Sequence, residues 1–171
     1  NSFNRLQYFQ WKPKMSNDPE RNLEKEAEEQ DNILSNVFTR MIRSTPRVNN
    51  WVIPLSGGYD SRTIVNYLYK LGVKNVICYS FGLKNNIESR ISQQVAEALG
   101  YKWYFIDNPS EWIIKIKKTN LLAQYLDYGF NGTSVATIGD FPTVFALKEM
   151  GIIQRNDVFV PGHALEVLAG N

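Results

Sequence analysis

Short apolar runs alternate with longer stretches in which apolar residues recur every three or four positions, from Val48 to near the end of the chain. The short runs predict buried β-strands, and the longer stretches predict amphipathic helices. The predicted strands are residues 51–55, 75–81, 102–106 and 157–160. The predicted helices between them are residues 61–71, 88–99, 110–128 and 142–150. This order predicts an α/β fold, a parallel sheet with helices on both faces.

The chain before these strands has a different pattern. Residues 1–19 show no steady period and carry several aromatic side chains, which predicts an extended segment that packs on other parts of the protein. From Glu20 onwards acidic residues are frequent, as the positive end of a helix dipole favours, and apolar residues then recur with a helical period. We therefore expect a long helix to precede the first strand.

A glycine-rich turn lies at the junction between the first predicted strand and the helix after it. The run VIPLSGGYDSR, residues 52–62, leads from apolar residues through Ser56, Gly57 and Gly58 into the helical pattern. Glycines at such a junction let backbone N–H groups converge on phosphate oxygens, and the helix dipole favours the same anion. The carboxylate of Asp60 suits Mg²⁺. The Walker A spacing and the G-x-G-x-x-G fingerprint are both absent, so another kind of phosphate loop is predicted.

Two other strand ends carry candidate ligand-binding residues. The second predicted strand ends in YSFGL, where Gly82 would let a flat group such as adenine approach and Phe81 would flank it; a core Phe before a turn Gly is an equally good interpretation. The fourth ends in VPGHALEVLAGN, which contains the only histidine, His163, and also Glu166. A lone histidine is more often structural than catalytic, but the position of His163 at the carboxyl end of a strand, beside a glycine, makes the two roles equally good interpretations. Carboxyl ends of parallel strands share one edge, so these segments and the glycine-rich turn are expected around one crevice.

Composition narrows the class of protein. The 171 residues are 43% hydrophobic, which is enough for one domain with a core. The net charge of +2 is too small to indicate a nucleic-acid or membrane-surface partner, and no apolar run is long enough to span a membrane. The single cysteine, Cys78, lies in an apolar run and is expected to be a buried thiol, which excludes a disulfide framework. These properties favour the cytoplasm.

The sequence SGGYDS resembles the pyrophosphate loop (PP-loop) of ATP pyrophosphatases, usually written SGGxDS. Other segments resemble the synthetase domain of the asparagine synthetase family: the strand end YSFG, the helix QQVAEALG and, with one residue deleted, PGHALEVLAGN. The resemblance implies the adenine nucleotide alpha hydrolase-like (PP-loop) fold. It also implies that residues 1–30 are a linker and the start of the N-terminal helix, and that residues 31–171 are a PP-loop ATP-binding synthetase-like domain.

The resemblance further implies a reaction. An ATP-dependent ligase domain of this type adenylates a small-molecule carboxylate and transfers ammonia or another amine to it, releasing AMP and pyrophosphate. ATP and Mg²⁺ are then required. The implied pyrophosphate-binding residues are Ser56, Gly57, Gly58, Asp60 and Ser61, with Asp60 also holding the metal. The residues implied to hold the remainder of ATP are Leu55, Phe81, Gly82 and Gly162. The implied catalytic residues are His163 and Glu166.

Three features depart from the family pattern. His163 stands where the family has a carboxylate used in the chemistry, which puts aspartate in doubt as the substrate. The 171 residues include neither the glutaminase domain that supplies ammonia in the family nor its N-terminal Cys. The chain also stops directly after the last motif. We therefore expect a fragment truncated at its C-terminus, with a glutaminase domain or subunit as a candidate partner.

Two alternatives remain open. One is a catalytically impaired nucleotide-binding module, which the altered C-terminal motif favours. The other is another PP-loop enzyme, such as one that thiolates RNA or forms lysidine in it. Thiolation usually uses paired cysteines, whereas only Cys78 is present, and RNA binding would require more positive charge. Consumption of ATP with release of AMP would distinguish an enzyme from a binding module.

Overall fold

The computed structural model describes residues 10, 22–83, 86–107, 109–130, 132 and 138–162. Six helices and four strands lie in these ranges. The helices are α1 (Leu23–Ser44), α2 (Tyr59–Lys70), α3 (Ile87–Ala98), α4 (Pro109–Lys117), α5 (Leu121–Gly129) and α6 (Phe141–Glu149). The strands are β1 (Trp51–Pro54), β2 (Val76–Gly82), β3 (Lys102–Asp107) and β4 (Val158–Phe159).

The four strands form one sheet in the order β3-β2-β1-β4, and every neighbouring pair is parallel. In the register of the sheet, Trp51 of β1 lies opposite Val76 of β2 on one side and Val158 of β4 on the other. The chain builds outwards from β1 through β2 to β3 and then returns to the other side of β1. The strand order therefore reverses between β1 and β4, and ligands of such sheets bind beyond the carboxyl ends of strands at this reversal.

Successive residues of β1 pack on opposite faces of the sheet, because side chains alternate along a strand. Trp51 and Ile53 belong to a core cluster that also contains residues of α1, α2 and α3. Val52 belongs to a second cluster with Ala146 and Leu147 of α6. All of these side chains are at least nine-tenths buried. The predicted parallel sheet with helices on both faces is therefore confirmed.

The N-terminal helix α1 packs on α2 through an aromatic and an ionic contact. The rings of Phe38 and Tyr67 stack with centroids 5.1 Å apart. Asp31 accepts hydrogen bonds from Lys70 Nζ at 2.7 Å and from the Tyr67 hydroxyl at 2.8 Å. Both bonds lower the pKa of Asp31, and the bond from Lys70 has the larger effect. No helix in the described ranges, including the 22-residue α1, is long and apolar enough to cross a membrane.

Two details differ from the sequence expectation. The prediction of a single helix over residues 110–128 is wrong, because a break at residues 118–120 separates α4 from α5. The hydroxyl of Thr119 donates to the carbonyl of Ile116 and accepts from the amide of Leu121, so it replaces the helical ladder with local bonds. Strand β1 also ends one residue earlier than predicted, at Pro54, which has no N–H to donate to a further ladder bond.

A buried chain of hydrogen bonds fixes the carboxyl end of β1. The Ser80 hydroxyl donates to the carbonyl of Leu55 at 2.6 Å. The Ser92 hydroxyl lies within hydrogen-bond distance of Ser80, and Trp103 Nε1 donates to Ser92 at 3.1 Å. The Ser92 hydroxyl also donates to the carbonyl of Ser89 at 2.9 Å, so these residues form one buried network around the two hydroxyls. Residues of β2, α3 and β3 thus support the backbone where the glycine-rich loop begins.

We expect Ser80→Ala to lower the free energy of unfolding by about 1–3 kcal/mol, because it leaves buried polar groups without their partner. Urea unfolding of the two variants and the wild type measures the change. Ser44→Ala is the matched control: Ser44 is exposed at the end of α1, and its removal should change stability by no more than about 0.5 kcal/mol. Equal effects of the two substitutions would contradict the supporting role of Ser80.

Candidate functional site

The glycine-rich loop, residues 56–61, connects β1 to the first turn of α2 and is braced by its two serines. The amide of Ser56 donates to Ser61 Oγ at 3.0 Å, and the two hydroxyls lie 3.1 Å apart. The amide of Gly58 donates to Ser56 Oγ at 3.2 Å. These short-range bonds close the loop on itself. The sequence therefore needs serine at both ends of SGGYDS to hold the loop shape.

The N-terminus of α2 is open towards this loop. Its N-cap residue is Gly58, and no side chain caps the first turn. Helices usually satisfy their first amides with a capping side chain, water or a ligand, and the partial positive charge there favours an anion. Asp60 lies in this first turn, two residues after Gly58. The arrangement suits a phosphate group on the loop with a cation between it and Asp60.

Gly162, after β4, packs directly against the same turn. A Cβ atom added to Gly162 would lie 3.0 Å from the amide nitrogen of Ser61 and 3.3 Å from the Cβ of Asp60. No larger side chain fits this gap without displacing backbone. The carboxyl ends of β1 and β4 therefore meet at the point where the strand order reverses, which brings Gly162 to the glycine-rich loop.

Two clefts flank the glycine-rich loop, and they share Pro54, Ser56, Tyr79 and Phe81. The first, the β2-side cleft, encloses about 400 Å³ between the ends of β1 and β2 and the start of α3. The second, the β4-side cleft, encloses about 550 Å³ on the other side of the loop. The remaining residues lining the β4-side cleft are Gly58, Asp60, Ser61, Tyr125, Asp140, Val144, Phe159, Pro161 and Gly162. Both volumes are in the range of small-molecule sites.

The residues predicted to flank adenine lie at the β2-side cleft. Phe81 is 40% exposed and lines this cleft, so it is not the core residue of the alternative interpretation. Gly82 has a φ of +128°, a conformation that strongly favours glycine. Leu55 also borders the cleft, but its side chain is buried in the core and its amide donates to the carbonyl of Tyr79 at 2.8 Å. Leu55 therefore supports the backbone at the start of the glycine-rich loop.

The remaining sequence predictions concern the buried thiol, the two proposed catalytic residues and the metal-binding carboxylate. Cys78 is a fully buried thiol as expected, and burial raises its pKa to about 12. His163 and Glu166 lie outside the described residues. Within the described residues, no group of three or more His, Cys, Asp or Glu side chains could hold a metal ion, so Asp60 contributes one carboxylate and no preformed metal cage.

Sequence reasoning missed the far wall of the β4-side cleft. Tyr125 of α5, Val144 of α6 and Asp140, which precedes α6, all line it. The missed signal was the sequence Asp-Phe-Pro, in which an acidic residue stands directly before a helix whose second residue is proline. The sequence predicted the helix from this proline but did not show that the residue before it would face the glycine-rich loop.

No protein-family model and no curated protein sequence matches the chain. The NH3-dependent NAD synthetase of Campylobacter jejuni, solved in complex with a nitrate ion, is similar in structure, with a TM-score of 0.53 over 81% of this chain and 16% sequence identity. This chain spans 58% of that enzyme's chain. The similarity shows the fold, which is the adenine nucleotide alpha hydrolase-like (PP-loop) fold.

Two more distant structures also match. A predicted subunit of a tRNA methyltransferase from Methanocaldococcus jannaschii has a TM-score of 0.39 at 16% identity, over 70% of this chain and 55% of its own. The tRNA thiolase NcsA from Methanococcus maripaludis has a TM-score of 0.38 at 20% identity, over 77% of this chain and 49% of its own.

Gly162→Ala should lower the free energy of unfolding by about 1–3 kcal/mol, because the new methyl group must push the Ser61 backbone aside. Gly139→Ala is the control, since a Cβ there meets no atom within 4 Å. Thermal or urea unfolding compares the two variants with the wild type. If Gly162→Ala were as stable as the control, β4 would not pack against α2 as described.

Proposed function

We propose that the chain is an ATP-dependent ligase domain of the asparagine synthetase-like type, which adenylates a small-molecule carboxylate and transfers ammonia or an amine to it. The observation that carries the proposal is the braced glycine-rich loop at the uncapped N-terminus of α2, where the strand order reverses. The fold places this loop where nucleotides bind in such sheets. The residue order SGGYDS adds the resemblance to a pyrophosphate loop.

In this proposal the pyrophosphate of ATP lies on the loop and the adenosine lies in one of the two clefts. Backbone amides of Gly57 and Gly58 and the hydroxyls of the two serines would hold the β,γ-pyrophosphate. The adenosine would lie in the β2-side cleft against Phe81, where Gly82 allows close approach to the backbone. Gly162 would keep the β4 side of the loop free of any side chain. Bound ATP would supply the leaving pyrophosphate and the adenylyl group.

Mg²⁺ fits this arrangement through Asp60. The ion usually takes one or two protein carboxylates and completes its shell with water and phosphate oxygens. A single carboxylate in the first turn of α2, beside the open end of the helix, matches that requirement. The ion would neutralise charge on the pyrophosphate as it leaves, which is the main electrostatic demand of this reaction.

We further propose His163 and Glu166 as the catalytic residues that follow Gly162. Support comes from the position of Gly162, which directly precedes His163 in the sequence and packs against Ser61 of the glycine-rich loop. An imidazole and a carboxylate could take the proton from the attacking amine. Because His163 stands where the asparagine synthetase family has a carboxylate, the acid substrate need not be aspartate.

A binding module without turnover is the second candidate, and the same His163 favours it. Both candidates share the ATP site, whereas only the ligase needs an acid and an amine. For the ligase we propose a cytoplasmic setting and a glutaminase domain or subunit as one source of ammonia. Release of AMP and pyrophosphate in the presence of a carboxylic acid and an amine would favour the ligase over the binding module.

Calorimetry with Mg·ATP, AMP and pyrophosphate tests the ATP site directly. We expect Mg·ATP to bind and pyrophosphate to compete with it, because both require the glycine-rich loop. Binding of AMP without any binding or competition by pyrophosphate would contradict the assignment of the loop.

Asp60→Asn should weaken Mg·ATP binding on the order of tenfold, since it removes the charge that faces the metal. The melting temperature without ligand should change little, because Asn has the same size as Asp and no capping bond of α2 is lost. Asp127→Asn, on an exposed position of α5, is the matched control and should leave Mg·ATP affinity unchanged. A large loss of melting temperature in Asp60→Asn would make Asp60 a structural residue instead.

The role proposed for His163 can be followed by proton NMR, because it is the only histidine of the chain. An imidazole beside the nucleotide should change its chemical shift and titrate at a higher pH when Mg·ATP adds negative charge nearby. A resonance that saturating Mg·ATP leaves unmoved would place His163 away from the site, and the binding module would then be favoured.

A further inference from the structure

The β4-side cleft contains a carboxylate that the proposed ATP chemistry does not use. Asp140 is half-buried and lines this cleft together with Asp60. The described residues that line the cleft include these two carboxylates and no Lys or Arg. A bound acid substrate would meet no positive side chain among these described lining residues. The negative charge of the described lining residues instead favours binding of a cation.

The side chain of Asp140 is not explained by the helix it precedes. Asp is one of the best N-cap residues, and Asp140 occupies the N-cap position of α6. Its carboxylate nevertheless makes no capping hydrogen bond, and its backbone has helical rather than extended angles. The helix therefore does not use the stabilisation that this residue could give. The carboxylate remains available to the cleft, and Asp140→Asn should fold as the wild type does.

Aromatic rings line the same cleft as Asp140. Tyr125 stacks on Phe141 with ring centroids 4.2 Å apart, and Tyr79 meets Phe159 edge-on with centroids 6.3 Å apart. Tyr79, Tyr125 and Phe159 also line the cleft. Burial and, after it, the negative charge of Asp140 raise the pKa of Tyr79, which indicates that the two residues are close.

The chemistry of this lining favours an organic cation over a metal ion. Mg²⁺ requires several oxygen ligands and retains water, whereas the neighbours of Asp140 in the cleft include aromatic rings and the aliphatic Val144. An alkylammonium group forms charge-assisted hydrogen bonds to a carboxylate, and its apolar chain packs on aromatic faces. Free ammonia would leave the aromatic wall without a partner.

We propose that Asp140 binds the ammonium group of the amine substrate, and that this substrate is a primary amine with an aromatic or aliphatic chain. The inference rests on the proposed ligase function, because it assigns the second substrate of that reaction. Tyr125 and Phe159 would contact the chain of the amine. Asp140 is thus a specificity-determining residue on the opposite wall of the cleft from the glycine-rich loop.

Binding of 2-phenylethylamine, measured by ligand-observed NMR, tests the inference on the intact chain. We expect Asp140→Asn to weaken binding of this amine at least about tenfold and to leave pyrophosphate affinity unchanged. The neutral analogue 2-phenylethanol should bind weakly to the wild type. The control Asp127→Asn should change neither affinity. Ammonium chloride at equal ionic strength should compete poorly with the amine.

Equal binding of the amine by wild type and Asp140→Asn would overturn the inference, and so would full competition by ammonium chloride. Loss of Mg²⁺-dependent pyrophosphate binding in Asp140→Asn would overturn it in favour of a metal ligand. Failure of wild-type protein to bind pyrophosphate, with amine binding intact, would instead contradict the ATP-dependent function.

Discussion

The rest of the site depends on one constraint, the positioning of the α2 N-terminus at the carboxyl end of β1. Ser56 and Ser61 close the loop between them by hydrogen bonds of 3.0–3.1 Å. The Ser80 hydroxyl donates a hydrogen bond to the carbonyl of Leu55, and Gly162 packs against the first turn of α2 from the β4 side. Strands β1, β2 and β4 therefore all meet the open end of one helix. Its first amides have no capping side chain and favour an anion.

This constraint divides the edge of the sheet into two clefts with different chemistry. The β2-side cleft is bordered by Tyr79, Ser80 and Phe81 of β2 and suits a flat group beside the backbone. The β4-side cleft contains Asp60 near the loop and Asp140 on the far wall, among aromatic rings. A nucleotide on one side and a second substrate on the other would meet at the loop. A ligase requires that arrangement, because the carboxylate must reach the α-phosphorus of ATP and the amine must then reach the carbonyl carbon of the acyl-adenylate.

Much of the fold follows from local patterns in the sequence. Buried runs such as VICYS, residues 76–80, have no alternation because both faces of the sheet are covered, so they predict parallel strands. The glycine-rich turn marks the point where β1 passes into α2. The break between α4 and α5 was missed because a single hydroxyl, that of Thr119, competes with the helical ladder. The Leu55–Ser80–Ser92–Trp103 chain and Asp140 were also missed. Their roles depend on contacts between residues far apart in sequence, which periodicity cannot show.

The central claim is that the open end of α2 binds pyrophosphate. Backbone amide NMR of isotope-labelled protein, titrated with Mg²⁺ and pyrophosphate, tests it most directly. The account predicts that the largest shifts fall on the amides of residues 56–61, with smaller ones at Gly162 and none at the first turn of α1. Shifts concentrated at the start of α3 or α6, with residues 56–61 unmoved, would contradict it.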